Sequence, residues 1–158
     1  MSFTKKEQDF LKDLQGEEKL CTEKYHKAAE AACDPKLKQI FSKIEQAEQS
    51  HYDTVSGMLR GTIPAPQSTK PKEHPAQAQG AKQQQALKSE VSSAKKKCDQ
   101  YLLSDLLATE KYTAGVYNTA VFEFTDEKAR QVLSGIQQQE QHHGKQLADY
   151  MMANHMDC

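Results

Sequence analysis

Two glutamates, each followed 30 residues later by a Glu-x-x-His, are the residues of this sequence best placed to do chemistry. Glu18 precedes Glu48-Gln-Ser-His51, and Glu110 precedes Glu140-Gln-His-His143. Residues three apart share a helix face, so Glu48 and His51 project together, as do Glu140 and His143. Four carboxylates and two imidazoles converging between helices are what a bundle needs to hold two metal ions. In such a site Glu18 and Glu110 would act mainly as terminal or bridging carboxylates, Glu48 and Glu140 suit bridging, and each imidazole caps one ion. A donor set rich in carboxylate and poor in imidazole favours iron or manganese over copper, with zinc still a candidate. The ions would lie ~3.5–4 Å apart, as in other two-metal sites.

A lone Glu-x-x-His in a glutamate-rich helical chain carries little information. Here it is part of a repeat. Residues 4–60 and 96–152 align at an offset of 92, with 18 identities in 57 positions. Asp13/Asp105, Leu14/Leu106, Tyr25/Tyr117, Ile44/Ile136 and Gln49/Gln141 are among them. Four buried acids without cations would be costly, so the doubled pattern argues for a dinuclear site. A mononuclear or degenerate site, or a metal-free one with protonated acids, is the alternative.

The elements that must position these groups are helices. Alanine, glutamine, glutamate, lysine and leucine dominate the chain, and all are good helix formers. A first helix runs from about Thr4 to Ala32 on the seam Leu11, Leu14, Glu18, Cys21, Tyr25 and Ala28. Asp34-Pro35 starts a second, to about Leu59, with Asp as N-cap and Pro at the first helical position. Residues 61–80 hold four of the five prolines and read as a linker. Residues 81–95 are a polar helical lead-in to the second hairpin, residues 96–156, in which Thr125 is the expected N-cap of the last helix. From Glu18 to the turn near Cys33 is about 15 residues, roughly 22 Å, and from Pro35 to Glu48 is about 20 Å. Glu110 and Glu140 are each about 21 Å from their own turn, so both hairpins return their ligands to one height. The fold class is therefore all-α: one four-helix domain of two repeated hairpins over residues 1–158, with a long crossover between the second and third long helices.

Around the six ligands, Tyr25 and Tyr117 fall on the seam two turns after Glu18 and Glu110. They are placed to hydrogen-bond to ligands, to serve as redox-active phenols, or to fill the core with a satisfied hydroxyl. Cys21 reads as a small buried apolar residue. His142 points about 100° away from His143, and His26, His74 and His155 are expected in solvent. Asp13 and Asp105 lie beside the seam, where interhelical hydrogen bonding is expected.

Composition excludes several classes. Lys plus Arg is 21 and Asp plus Glu is 22, a net charge of -1, with no basic stripe for nucleic acid. No stretch approaches the ~20 apolar residues of a membrane span, and the first residues do not read as a secretory signal. Cys21, Cys33, Cys98 and Cys158 form no Cys-x-x-Cys pair, which argues against a zinc ribbon or rubredoxin-type iron site. The terminal Cys158 is a candidate for an intermolecular link.

The run from Asp105 to Ala120, Asp-Leu-Leu-Ala-Thr-Glu-Lys-Tyr-Thr-Ala-Gly-Val-Tyr-Asn-Thr-Ala, together with Gln137-Gln-Gln-Glu-Gln-His-His-Gly144, resembles the spore coat protein F family of ferritin-like bundles. The likeness is close over residues 99–152 and looser over the first hairpin. It implies a di-iron or di-manganese site in which Glu18 and Glu110 match the lone glutamates, and Glu48 with His51 and Glu140 with His143 match the paired motifs. Tyr25 matches a tyrosine found near the metals in some ferritin-like proteins. The 30-residue glutamate interval is shorter than in many iron-storage relatives, which weakens any claim to a storage cage. The resemblance also implies a bacterial spore coat location and other spore coat proteins as partners, with homo-oligomerisation left open. Two functions follow as expectations: a dinuclear metal oxidoreductase, dismutating peroxide or acting as a ferroxidase on dioxygen, or a structural coat protein without turnover.

Overall fold

The first helix begins at a capping box. Thr4 Oγ1 accepts a hydrogen bond from Glu7 N, and the Glu7 carboxylate accepts one from Thr4 N, so two orphan donors are satisfied reciprocally. In a computed structural model that describes residues 2–65 and 80–157, five helices follow in order: α1 Lys5–Ala31, α2 Pro35–Leu59, α3 Gly80–Leu87, α4 Ser93–Glu123 and α5 Glu127–Ala153. Asp34 caps α2 by accepting from Lys36 N at 3.0 Å, with Pro35 at the first helical position. Asp126, not Thr125, caps α5, accepting from Ala129 N at 2.8 Å. Thr125 is engaged elsewhere: its N–H and hydroxyl both donate to Glu7 Oε1, at 2.9 and 3.0 Å.

That contact reveals the topology. Glu7, near the start of α1, holds the α4–α5 turn. Asp99, near the start of α4, holds the α1–α2 turn by accepting from Cys33 N at 2.7 Å and Asp34 N at 3.0 Å. Positions 7 and 99 correspond in the repeat, as do 33 and 125, so the two clasps are mates about a pseudo-two-fold axis. They make α1 and α4 antiparallel. The chain therefore leaves α2 at one end of the bundle and enters α4 at the other, which requires a crossover along its length, as in ferritin-like topologies. Residues 66–79, with His74 and most of the expected linker, lie outside the described residues, as does Cys158.

The polar lead-in is not one extension of α4. α3 ends at Leu87 and α4 starts at Ser93, because Asn154 captures the backbone between them. Its Oδ1 accepts from Ser89 N at 2.6 Å and its Nδ2 donates to Leu87 O at 2.9 Å. A Ser89 N–H committed to Asn154 cannot continue the α3 ladder.

Two apolar clusters fill the bundle. One gathers Tyr25, Phe41, Leu103, Leu106, Leu147 and Tyr150, and the other Leu11, Leu14, Val55, Tyr117, Phe124 and Leu133. Each fully buried Leu or Phe contributes about 1.5–3 kcal/mol. The clusters are largely repeat mates, with Leu103 and Leu106 in one answering Leu11 and Leu14 in the other. Among the described residues no helix is long and apolar enough to cross a membrane.

Candidate metal centre

Between the two clusters lies a polar band. Glu18 on α1, Glu48 and His51 on α2, Glu110 on α4, and Glu140 and His143 on α5 are all buried, none more than 5% exposed. The six residues singled out by spacing are thus brought together. They form two groups of four, Glu18, Glu48, His51 and Glu140, and Glu48, Glu110, Glu140 and His143, each with ligand-type atoms within 4.8 Å of one another. Glu48 and Glu140 belong to both groups. Each could hold an ion, with the shared pair between them.

The geometry repeats across the pseudo-two-fold. His51 Nδ1 lies 3.1 Å from Glu140 Oε1, 3.3 Å from Glu48 Oε2 and 3.7 Å from Glu18 Oε2. His143 Nδ1 lies 2.9 Å from Glu48 Oε1, 3.3 Å from Glu140 Oε2 and 3.7 Å from Glu110 Oε1. The two rings stack at 5.8 Å between centroids. The tyrosines cross over: Tyr25 donates to Glu110 Oε1 and Tyr117 to Glu18 Oε1. Each phenol therefore steadies the lone glutamate of the other hairpin, leaving that carboxylate's second oxygen to face the band.

Those second oxygens decide whether a cation fits. Glu18 Oε2, Glu110 Oε2 and Glu48 Oε1 are buried without a hydrogen-bond partner; His143 Nδ1 approaches Glu48 Oε1 at 2.9 Å without the alignment of a hydrogen bond. Buried acceptors left unpaired cost about 1–3 kcal/mol each, more when charged. All three belong to the two four-residue groups, and a cation could serve as their partner.

Without a cation, protons balance the charge. Burial raises Glu18 to about 9 and Glu110 to about 11, reinforced by the nearby Glu140 and Glu48 carboxylates. Burial would also raise Glu48 and Glu140, but the close His143 and His51 imidazoles outweigh it and hold both below the usual carboxylate range. Burial would keep the imidazoles neutral, yet the adjoining Glu140 and Glu48 carboxylates raise His143 to about 9 and, with Glu18 added, push His51 well above its ordinary value. At neutral pH the band then holds two carboxylate–imidazolium pairs and two neutral acids. Four protons sit where two divalent cations would carry the same charge.

Two residues near the band carried no usable sequence signal. Gln139 Oε1 lies 2.7 Å from His51 Nε2; its repeat mate is Ala47, so nothing marked it. Thr113 Oγ1 meets the buried Cys21 Sγ at 3.6 Å; these two are themselves repeat mates, joined across the axis. At the α1–α2 turn, away from the band, Asp34 accepts from Tyr150 OH at 2.5 Å as well as capping α2. Elsewhere, Asp105 pairs with Lys24 of α1 at 2.9 Å, while Asp13 is exposed. His26 is 59% exposed and meets Glu45 at 3.0 Å; His142 and His155 are also exposed.

The second hairpin carries half of this centre, and its sequence also carries a family match. Residues 98–156 match the Coat F domain. The Coat F segment spans most of α4 and all of α5, with Glu110, Tyr117, Glu140 and His143, and covers a little over a third of the chain. No curated protein and no solved structure matches the chain.

Proposed function

We propose that this is a spore-coat-associated protein whose bundle holds two iron or manganese ions and acts on dioxygen or peroxide. The Coat F segment supports the location and other coat proteins as partners. The observation that carries the metal reading is the pair of buried four-residue groups sharing Glu48 and Glu140, with three carboxylate oxygens left without partners. Carboxylate-rich donors with one imidazole per group suit these metals, which when bound supply electrons to an oxygen or peroxide substrate.

The chain's own residues prepare the centre. Glu48 and Glu140 would serve both positions, and Glu18 and Glu110 one each, their carboxylates turned by a tyrosine hydroxyl. His51 and His143 offer Nδ1 once deprotonated. The apolar clusters above and below keep bulk water out, which strengthens every electrostatic contact between them. A hollow of about 90 Å³, lined by Ser50, His51, Thr54, Gly135 and Gln139 among others, touches the band at His51. It has room for about three waters, which suits a diatomic or peroxide substrate.

A second reading keeps the bundle and drops the turnover, and the self-balanced proton arrangement favours it by giving the metal-free cluster a stable state. Elemental analysis of untagged protein made with iron and manganese supplied separates the two. About two ions per chain, lost in Glu48→Ala with Glu140→Ala, is the expected result. Folded protein that refuses both metals, or a double variant that still binds two, would move the function to coat architecture.

A further inference from the structure

The outer face of α4 is out of keeping with the rest of the surface. Tyr101, Tyr112 and Phe122 are 74, 62 and 75% exposed, and helical spacing places them on one stripe with the exposed Ala108, Gly115 and Thr119 between them. None of the six is charged. At the matching positions of α1 the repeat places Asp9, Gly16, Leu20, Glu23, Lys27 and Glu30, also exposed. The same structural face is thus charged on one hairpin and apolar on the other. α4 buries Leu103, Leu106, Tyr117 and Ala120 inward as well, so it is apolar on two sides, as helices packed between two partners are.

We infer that this stripe is the interface of an antiparallel homodimer, α4 against α4 about a two-fold axis near Tyr112. Three observations specify a second copy. The three rings present roughly 400 Å² of apolar surface, and with the small residues and flanks the stripe approaches the ~800 Å² per partner of a standard interface. The small residues Ala108, Gly115 and Thr119 alternate with the rings, so an antiparallel copy meets rings with gaps. Beside Tyr101, between the end of α1 and the start of α4, is a shallow apolar hollow of about 480 Å³ lined by Ala31, Lys97, Cys98 and Leu102. An antiparallel copy lays its Phe122 over this hollow, and by symmetry receives the other's. It also brings Lys97 near Glu123 of the second copy, where Glu123 already holds Lys6 of its own chain; a parallel pairing would set like ends together.

Sedimentation of the full chain across a concentration series tests this. The native chain is expected to sediment as a dimer. Tyr112→Glu weakens it by about 100-fold or more, whereas Leu20→Glu, at the matching position of α1, leaves it unchanged. Gly115→Glu removes the ambiguity of misfolding, since a Cβ there meets nothing within 4 Å and replacing a helical glycine favours the helix. It should give a well-folded monomer. A native chain that is monomeric throughout, or a dimer that survives both α4 variants, overturns the inference; a monomer captured only by another coat protein would do so too.

Discussion

Turned inward, the two hairpins are interchangeable; turned outward, they are not. Glu18 and Glu110, Tyr25 and Tyr117, His51 and His143 occupy equivalent places about one axis, and even the carboxylate clasps at Glu7 and Asp99 are mates. On the outside, Asp9, Leu20 and Glu30 of α1 face Tyr101, Tyr112 and Phe122 of α4 as their counterparts. The difference follows from what each side must satisfy. Inside, both hairpins contribute to a single centre and one set of clasps, so the ligand, tyrosine and clasp positions answer their mates. Outside, each face meets its own surroundings, and nothing couples them.

The inner symmetry is broken hardest by removing a shared ligand. Glu48→Gln or Glu140→Gln touches both four-residue groups, so either should lower bound metal from about two ions per chain to near zero. Glu18→Gln or Glu110→Gln touches one group and should leave about one. Elemental analysis of the four variants decides this. A Glu48→Gln protein that keeps one tightly held ion would show two independent half-sites in place of a shared one.

Acidity probes the same band without altering a residue. In the metal-free protein Glu18, Glu110 and His143 are raised in the fold. Their stabilisation is complete below the unfolded values, 4.5 for glutamate and 6.5 for histidine, and is lost as pH rises through about 9, 11 and 9 respectively. Glu48 and Glu140 run the other way; their stabilisation is present above 4.5 and is lost as pH falls through their lowered values. Metal-free protein should therefore melt highest near neutral to mildly acid pH and lose roughly 10 °C by pH 10. Metal uptake displaces four protons, so added iron(II) or manganese(II) should protect more strongly as pH rises. Thermal melts with and without metal test both. Equal protection at pH 6 and 8 would contradict the proton inventory.

Helix class, helix limits to within a few residues and the six acid and imidazole positions were all legible in the sequence. Each follows from spacing, and spacing on a helix fixes direction. The clasps were harder to see because they pair Glu7 with Asp99, a chemical likeness that identity counting passes over. Thr125 read as a cap because hydroxyls before acidic helix starts usually are; a carboxylate from 118 residues away took its donors. The α3–α4 break rests on Asn154, 65 residues from Ser89, and no local pattern encodes it. What the sequence hid was therefore long-range polar pairing. Apolar periodicity reports which face is buried but not which partner a buried polar group will meet.

Gln139 offers the finest test, because it is where the inner symmetry fails. His51 Nε2 is held at 2.7 Å by Gln139 Oε1, whereas the corresponding position near His143 is Ala47. A carbonyl oxygen can only accept, so Gln139 fixes the proton on Nε2 and directs the Nδ1 lone pair to the band once the ring is neutral. Such outer partners are typically worth 10–100-fold in metal affinity. Gln139→Ala should weaken the ion at Glu18 and His51 by about that factor and leave the ion at Glu110 and His143 nearly unchanged. Titration calorimetry would then show two binding events of closer affinity than in the native protein, if the His51 half is the tighter one there. Ala47→Gln is the converse, adding the missing acceptor on the other side. Were Gln139→Ala to weaken both ions equally, the glutamine would be acting through bundle stability, and the difference between the halves would lie in the terminal glutamates instead.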